Sequence, residues 1–181
     1  TVSSNGLVTA IGNGQATLTA TSGSLSATAS ATVQQVPTSL SVISGNAQTD
    51  TVGQLLTEPL VVRAEDQGGT TVSAVSISFS ISQGGGSLSE TSVTSDGDGE
   101  ASTTWTLGTT SGTQNVAATI QGSESGKADF SATAIPGPAT AFSKEWGDQQ
   151  IGKNNRPLPE PIKAAVKDEF GNGIAGIPVT L

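Results

Sequence analysis

Catalysis near neutral pH needs side chains that exchange protons or act as nucleophiles, and this sequence offers few of them. It contains no His and no Cys, so any such chemistry would rest on carboxylates, Lys or Ser. The carboxylates gather at three places: Glu65-Asp66, Asp96-Gly97-Asp98-Gly99-Glu100 and Asp168-Glu169. Each lies beside glycines in a predicted turn, where a short acidic side chain is expected because it bonds to its own backbone. The chain is therefore expected not to be an enzyme. Asp96, Asp98 and Glu100 are the best metal candidate, since three hard oxygen donors within five residues suit Ca²⁺. They lack the twelve-residue loop and distant bidentate Glu of a helix–loop–helix site, and a plain hairpin turn is the favoured reading. No other cofactor is implied.

The two tryptophans raise a carbohydrate-binding alternative. Trp105 falls between Thr103 and Leu107 on the apolar side of its strand and is expected to plug a core. Trp146, just before Gly147-Asp148, is left open between core and surface. Lys144 occupies a first-strand position like the lysine of self-made isopeptide bonds in some surface sandwiches, but no partner is evident for it. No Asn-x-Ser/Thr sequon is present. The net charge of −8, with seven scattered Lys and Arg, argues against nucleic acid, whose phosphates need clustered cations. No apolar run approaches the ~20 residues that span a bilayer as a helix, so direct membrane insertion is not expected. The chain opens on Thr1 within a strand-like stretch, which suggests a piece of something longer.

The elements that carry these residues read as strands. In Leu25–Val33, Leu25, Ala27, Ala29, Ala31 and Val33 alternate with Ser and Thr; Val75–Ser82 and Ala101–Leu107 behave the same way. Alternation gives each strand one dry and one wet face. Shorter candidates are Ala16–Ala20, Leu60–Ala64, Asn115–Ile120, Ala128–Ala134, Ile162–Val166 and Ile177–Leu181. Gly- and Asn-rich turns separate them, and no helical periodicity competes. The predicted class is all-β, as two-sheet sandwiches.

A repeat organises these strands. At an offset of 102 residues, Gly45 matches Gly147, Gln48 matches Gln150, Glu58-Pro59 matches Glu160-Pro161, Asp66 matches Asp168 and Gly69 matches Gly171. Apolar positions keep phase as well, with Leu60 against Ile162, Val75 against Ile177, Ile77 against Val179 and Phe79 against Leu181. A second echo, at an offset of 101, aligns Ala27–Pro37 with Ala128–Pro138. The expected division is a closing half-domain at 1–35, a complete domain at 36–135 and an opening half at 136–181. Short Pro-containing junctions would join them into a semi-rigid rod.

Residues 37–134 resemble the bacterial immunoglobulin-like domains of the invasin and intimin type. The resemblance runs through Ser44-Gly45-Asn46-Ala47-Gln48, Glu58-Pro59-Leu60-Val61-Val62, Asp66 with its Gly turn, and Val75–Phe79. Lys167–Val179 fits the same group, while Val2–Ala10 and Gly14–Ala20 resemble the end of a second group of such domains. The resemblance implies tandem immunoglobulin-like sandwiches, one complete and two partial. It implies a non-catalytic stalk of an extracellular, cell-surface adhesin or fibre. The alternatives are a direct binding module for a glycan, a host protein or Ca²⁺, or a phage virion decoration. Neighbouring domains of the same longer chain are the expected partners. Head-to-tail self-association, with one copy's closing half completing another's opening half, is the less favoured way to cover the half-domains.

Overall fold

The computed structural model describes residues 1–123 and 126–180, and among them every regular element is a strand. The first two, β1 (Gly14–Ser22) and β2 (Leu25–Val33), pair as an antiparallel hairpin, nine residues against nine. Ten strands then form a sandwich. One sheet holds β3 (Ser39–Ser44), β5 (Leu60–Glu65) and β9 (Glu100–Thr103), ordered β3-β5-β9. The facing sheet holds β4 (Gln48–Thr51), β6 (Ser76–Gln83), β8 (Ser92–Thr94), β11 (Gly112–Ile120) and β12 (Lys127–Ile135), ordered β4-β12-β11-β6-β8. A small ribbon pairs β7 (Gly86–Leu88) with β10 (Trp105–Leu107). Beyond it, β13 (Ala141–Trp146) and β14 (Lys163–Lys167) form a second antiparallel hairpin.

Alternation explains the packing. On β6, Ile77 and Phe79 point inward while Ser76 and Ser80 face water. On β12, Ala128, Phe130, Ala132 and Ala134 are buried, while Lys127, Asp129, Thr133 and Ile135 are exposed and Ser131 is half-buried. Trp105, Phe79, Phe130, Leu60, Ile77, Val62 and Val116 fill the space between the sheets. Trp105 is completely enclosed, and its indole N–H finds no hydrogen-bond partner. That orphan donor costs about 1–3 kcal/mol. Burying some 200 Å² of indole returns about 5 kcal/mol at ~25 cal/mol per Å², so the side chain belongs in the core despite the loss.

Two expectations require correction. The stretch Ala101–Leu107 is not one strand. It leaves the β5 edge at Thr103 and joins β7 from Trp105, changing sheets at Thr104. The change is held by side chains: Thr103 Oγ1 donates to the Glu90 carbonyl at 2.9 Å, and Thr104 N–H donates to Ser89 Oγ at 3.0 Å. The stretch Ile177–Leu181 forms no strand over its described part, residues 177–180, and Leu181 lies outside the described residues. Its counterpart β6 is held by β11 and β8 on either side, whereas among the described residues no strand pairs with 177–180.

The repeat is physical at the level of the backbone. Positive φ occurs at Gly45 and Gly147, Ala47 and Gln149, Gly69 and Gly171, and Ala74 and Gly176, each pair 102 residues apart. The irregularity between Val42 and Ser44 returns between Lys144 and Trp146. One clamp accounts for several matched residues. Gln48 donates to the Gly45 and Glu58 carbonyls at 2.8 and 2.9 Å and accepts the Glu58 N–H at 2.9 Å. Gln150 does the same with Gly147 and Glu160 at 2.9, 2.9 and 2.8 Å. The glycine is required for space as well, because a Cβ on Gly45 would stand 2.2 Å from the Pro59 carbonyl oxygen.

Phe130→Ala is expected to destabilise the sandwich by about 3–5 kcal/mol, the usual cost of a buried aromatic truncated to a cavity. Urea unfolding followed by tryptophan fluorescence measures it. A loss below about 1 kcal/mol, the level of a surface change, would contradict the core assignment.

Candidate functional site

The acidic candidates turn out to be copies of one device. In Asp66-Gln67-Gly68-Gly69-Thr70, Asp66 Oδ1 accepts the N–H groups of Gly68 and Thr70, both at 2.9 Å. In Asp96-Gly97-Asp98-Gly99-Glu100, Asp96 Oδ1 accepts those of Asp98 and Glu100, again at 2.9 Å. In Asp168-Glu169-Phe170-Gly171-Asn172, Asp168 Oδ1 accepts those of Phe170 and Asn172 at 3.0 and 2.8 Å. All three place a glycine with positive φ three residues after the aspartate. A carboxylate takes this position because it accepts two N–H groups that a five-residue turn leaves unpaired.

Asp96, Asp98 and Glu100 do not converge. Asp96 closes its own turn, and Glu100 Oε1 meets Arg63 Nη2 at 2.5 Å across the β5–β9 pair. Among the described residues, no group of three or more acidic side chains stands ready to share one ion.

Trp105 is core. Trp146 is 57% exposed and stands where the central sandwich carries Ser44. Its indole N–H reaches Glu160 Oε2 at 3.4 Å, in a shallow cleft of about 310 Å³ with Asp148 and Gln150. Lys144 forms an ion pair with Asp148, both largely in water. That pairing holds the Asp148 carboxyl below the usual carboxylate range.

Sequence reasoning did not find the joints between units. The second oxygen of the turn aspartate reaches into the connecting segment. Asp66 Oδ2 accepts the side-chain amide of Gln35 at 3.1 Å. Asp168 Oδ2 accepts the backbone N–H of Gly137 at 3.0 Å. Gln35 and Gly137 are themselves 102 residues apart, so each repeat ties its own turn to the segment that leads into it. The detectable signal was Asp-x-x-Gly at that offset, which composition alone reads as a turn. At the second joint Asn172 continues the chain of bonds. Its amide donates to Asp168 Oδ2 and to the Thr109 carbonyl, both at 2.8 Å, and its carbonyl accepts the Ser111 N–H at 2.9 Å. Thr109 and Ser111 belong to the β10–β11 loop of the central sandwich.

The electrostatics follow the donors. The Thr70 N–H and the Gln35 amide hold the Asp66 carboxyl below its ordinary range, against partial desolvation. For Asp168, only 2% exposed, burial pushes upward, but the donors from Asn172, Gly137 and Phe170 outweigh it and the carboxyl also sits low.

No protein-family model and no curated protein matches the sequence. Among solved structures, the Escherichia coli adhesin FdeC aligns with 91% of this chain and 53% of its own, at TM-score 0.54 and 21% identity. The fold is immunoglobulin-like. The Yersinia pseudotuberculosis adhesin InvE aligns with 80% of this chain and 53% of its own, at TM-score 0.46 and 15% identity. Domains 4–9 of the surface layer protein SbsC align with 96% of this chain and 27% of their own, at TM-score 0.44 and 20% identity. The chain spans between 22% and 66% of the lengths of such matches. The likeness to FdeC is one of fold alone, so a role for this chain has to be argued from its own turns and joints.

A carboxylate whose folded pKa is depressed contributes stability above its unfolded pKa, near 3.9, and loses it as pH falls through the folded value. Acid titration by NMR is therefore expected to show the Asp66 and Asp168 carboxyls titrating with midpoints below about 3.9. The Gly137 and Asn172 amide shifts should follow the Asp168 midpoint. A midpoint at or above the ordinary value would remove the donors from the explanation.

Proposed function

We propose that the chain is a non-catalytic structural spacer within a bacterial cell-surface adhesin or extracellular fibre. One observation carries the reading: the same backbone, with the same clamps and turns, begins again 102 residues on. A repeated module joined by short, hydrogen-bonded connections sets distance and direction, and its strands present Ser and Thr to water instead of reactive groups. The likeness in fold to an adhesin supports a place at the cell surface.

The same repeat supports the division at 1–35, 36–135 and 136–181. Core positions of the central sandwich have exposed counterparts in the following unit. Leu40 and Leu60 are 9% and 0% exposed, while Phe142 and Ile162 are 62% and 59% exposed. A second sheet of the kind formed by β11 and β12 is what such a face requires. In this reading residues 136–181 are the opening part of a further sandwich, and the β1–β2 hairpin the closing part of an earlier one. Neighbouring sandwiches of one longer chain are the partners.

One feature favours a second reading, direct binding of a glycan: Trp146, exposed beside Glu160 and Asp148. Aromatic faces with nearby acceptors suit sugar rings. The spacer is preferred because the cleft is shallow.

Two measurements test the proposal. Pulled from its ends in a single-molecule instrument, the central sandwich should open in one step, releasing about 350 Å of chain at roughly 3.6 Å per residue. Presented to glycan panels and bacterial or epithelial surfaces, the labelled chain should show no saturable signal; saturation abolished by Trp146→Ala would transfer the function to binding. Added Ca²⁺ is expected to move Tm by less than about 1 °C, since an ion bound only by the folded state would raise it by several degrees.

A further inference from the structure

The two joints share an aspartate but differ four residues later, and that difference decides how far each turn reaches. At the second joint the residue is Asn172. Its two-headed amide spans the gap, donating to Thr109 and accepting from Ser111 on the sandwich before it, while Asp168 Oδ2 fixes its orientation. At the first joint the residue is Thr70, which gives its backbone N–H to Asp66 Oδ1 as Asn172 does to Asp168. In front of Thr70 lies a cleft of about 240 Å³, closed on the far side by Ala10, Ile11 and Gly12. Those residues precede β1 as Thr109 and Ser111 precede β11. A larger cleft of about 650 Å³ opens on the other side of the same connection, between Thr32–Gln35 and Val72–Ser76. Among the described residues, the units at the first joint are tied only through the connecting residue Gln35, whose N–H meets Asn13 and whose side-chain amide meets Asp66, whereas at the second the turn also bonds directly to the preceding sandwich.

We propose that the residue four positions after the turn aspartate sets the stiffness of each joint: an amide locks neighbouring units, and a shorter side chain leaves them hinged. The inference rests on the spacer reading for its mechanical sense and adds to it a rod with one hinged and one rigid connection. The chemistry is specific. Only an Asn or Gln amide offers a donor and an acceptor side by side, matching a backbone carbonyl and an N–H two residues apart. Thr70 shows that the turn itself forms without the amide, so Asn172→Thr should leave the fold intact and remove only the bridge.

The chain has no Cys, so pairs of introduced cysteines can be spin-labelled without background. Labels at Ser26 and Thr94 report on the first joint, and labels at Thr94 and Lys163 on the second. All three residues lie on exposed strand positions. Pulsed electron resonance should give a narrower distance distribution across the second joint than across the first. Asn172→Thr should broaden the second, raising the undocked population on the order of tenfold or more for two lost hydrogen bonds. Thr70→Asn should narrow the first, its new amide meeting the Ile11–Asn13 backbone. The blue-shifted part of the tryptophan emission, from enclosed Trp105 and not exposed Trp146, verifies that each variant keeps the central fold. An unchanged width in either variant, or equal widths in the parent chain, overturns the proposal and leaves the spacer reading standing. A saturable ligand sinks the spacer reading without altering these widths.

Discussion

A strand with one greasy and one hydroxyl-bearing face is stable only when a second sheet covers the greasy side. Everything in the central sandwich answers to that constraint. Leu60, Val62 and Ala64 on β5 share one buried cluster with Ile77 and Phe79 on β6, Phe130 on β12 and the fully enclosed Trp105. Aromatics are only 3% of the chain, so the core is built from few large side chains and many alanines, and each large one matters. Buried polar groups are tolerated where they do structural work. Gln114, fully enclosed, accepts the Gly108 N–H at 2.8 Å and donates to the Thr110 carbonyl at 2.8 Å, closing the β10–β11 loop from inside. Ser95 likewise accepts from Val75 and donates to the Val72 carbonyl, extending the β6–β8 pairing with a side chain just beyond the strand ends.

Much of this was legible in the residues. Leu25–Val33 is a strand with the limits its alternation gives, and Leu60–Ala64 and Ala128–Ala134 fall short of the observed strands by one residue at one or both ends. The repeat was legible too, because its markers are residues with narrow physical duties. Gly45 must be Gly because the Pro59 carbonyl occupies the place of a side chain, and Gln48 must bridge a loop whose ends lie ten residues apart. What escaped was set by partners distant in sequence. The three-residue strands β7 and β8 are too short to show a period. The break at Thr104 depends on Glu90 and Ser89, whose arrival no local pattern announces. The second oxygens of Asp66 and Asp168 were invisible for the same reason: a turn residue looks alike whether or not a neighbouring unit lies beside it.

The acidic turns show how one solution serves different ends. Asp96 occupies the same turn as Asp66 and Asp168, yet it connects β8 to β9 within the sandwich, and among the described residues its side chain bonds only to its own turn. There the last residue, Glu100, pairs with Arg63 in register across the sheet. Water reaches both partners and screens their attraction, so that pair adds little to stability. At the joints the fifth residue is polar but uncharged, and at the second joint it reaches outward. Whether an Asp-x-x-Gly turn closes a hairpin or fastens two units therefore depends on the residue after the glycine and on where the chain brings it.

The topology also says how a pulling force would pass through the molecule. Tension applied along the chain enters the sandwich near β3 and β4 and leaves from β12. The first strand, β3, is held antiparallel to β5, and the next, β4, runs parallel to the last strand, β12, with Gln48 to Thr51 registered against Ala132 to Ile135. Pulling the start of β4 and the end of β12 apart slides two parallel strands past each other. Their hydrogen bonds are then loaded together instead of opening one after another. The Val52 N–H to Ile135 carbonyl bond at 2.9 Å extends the pairing beyond the strand, and Ala47 N–H to Ser131 at 2.8 Å extends it at the other end. Asn46 Oδ1, accepting the Ser131 N–H at 2.9 Å, adds a side chain to the same seam. Directly after this seam come Gly137 and the Asp168 carboxylate, so the strongest-loaded edge of one unit feeds straight into the hydrogen-bonded joint of the next. The parallel pair and the joint therefore lie in series along the chain, so a force that reaches Gly137 has already passed through the β4–β12 seam.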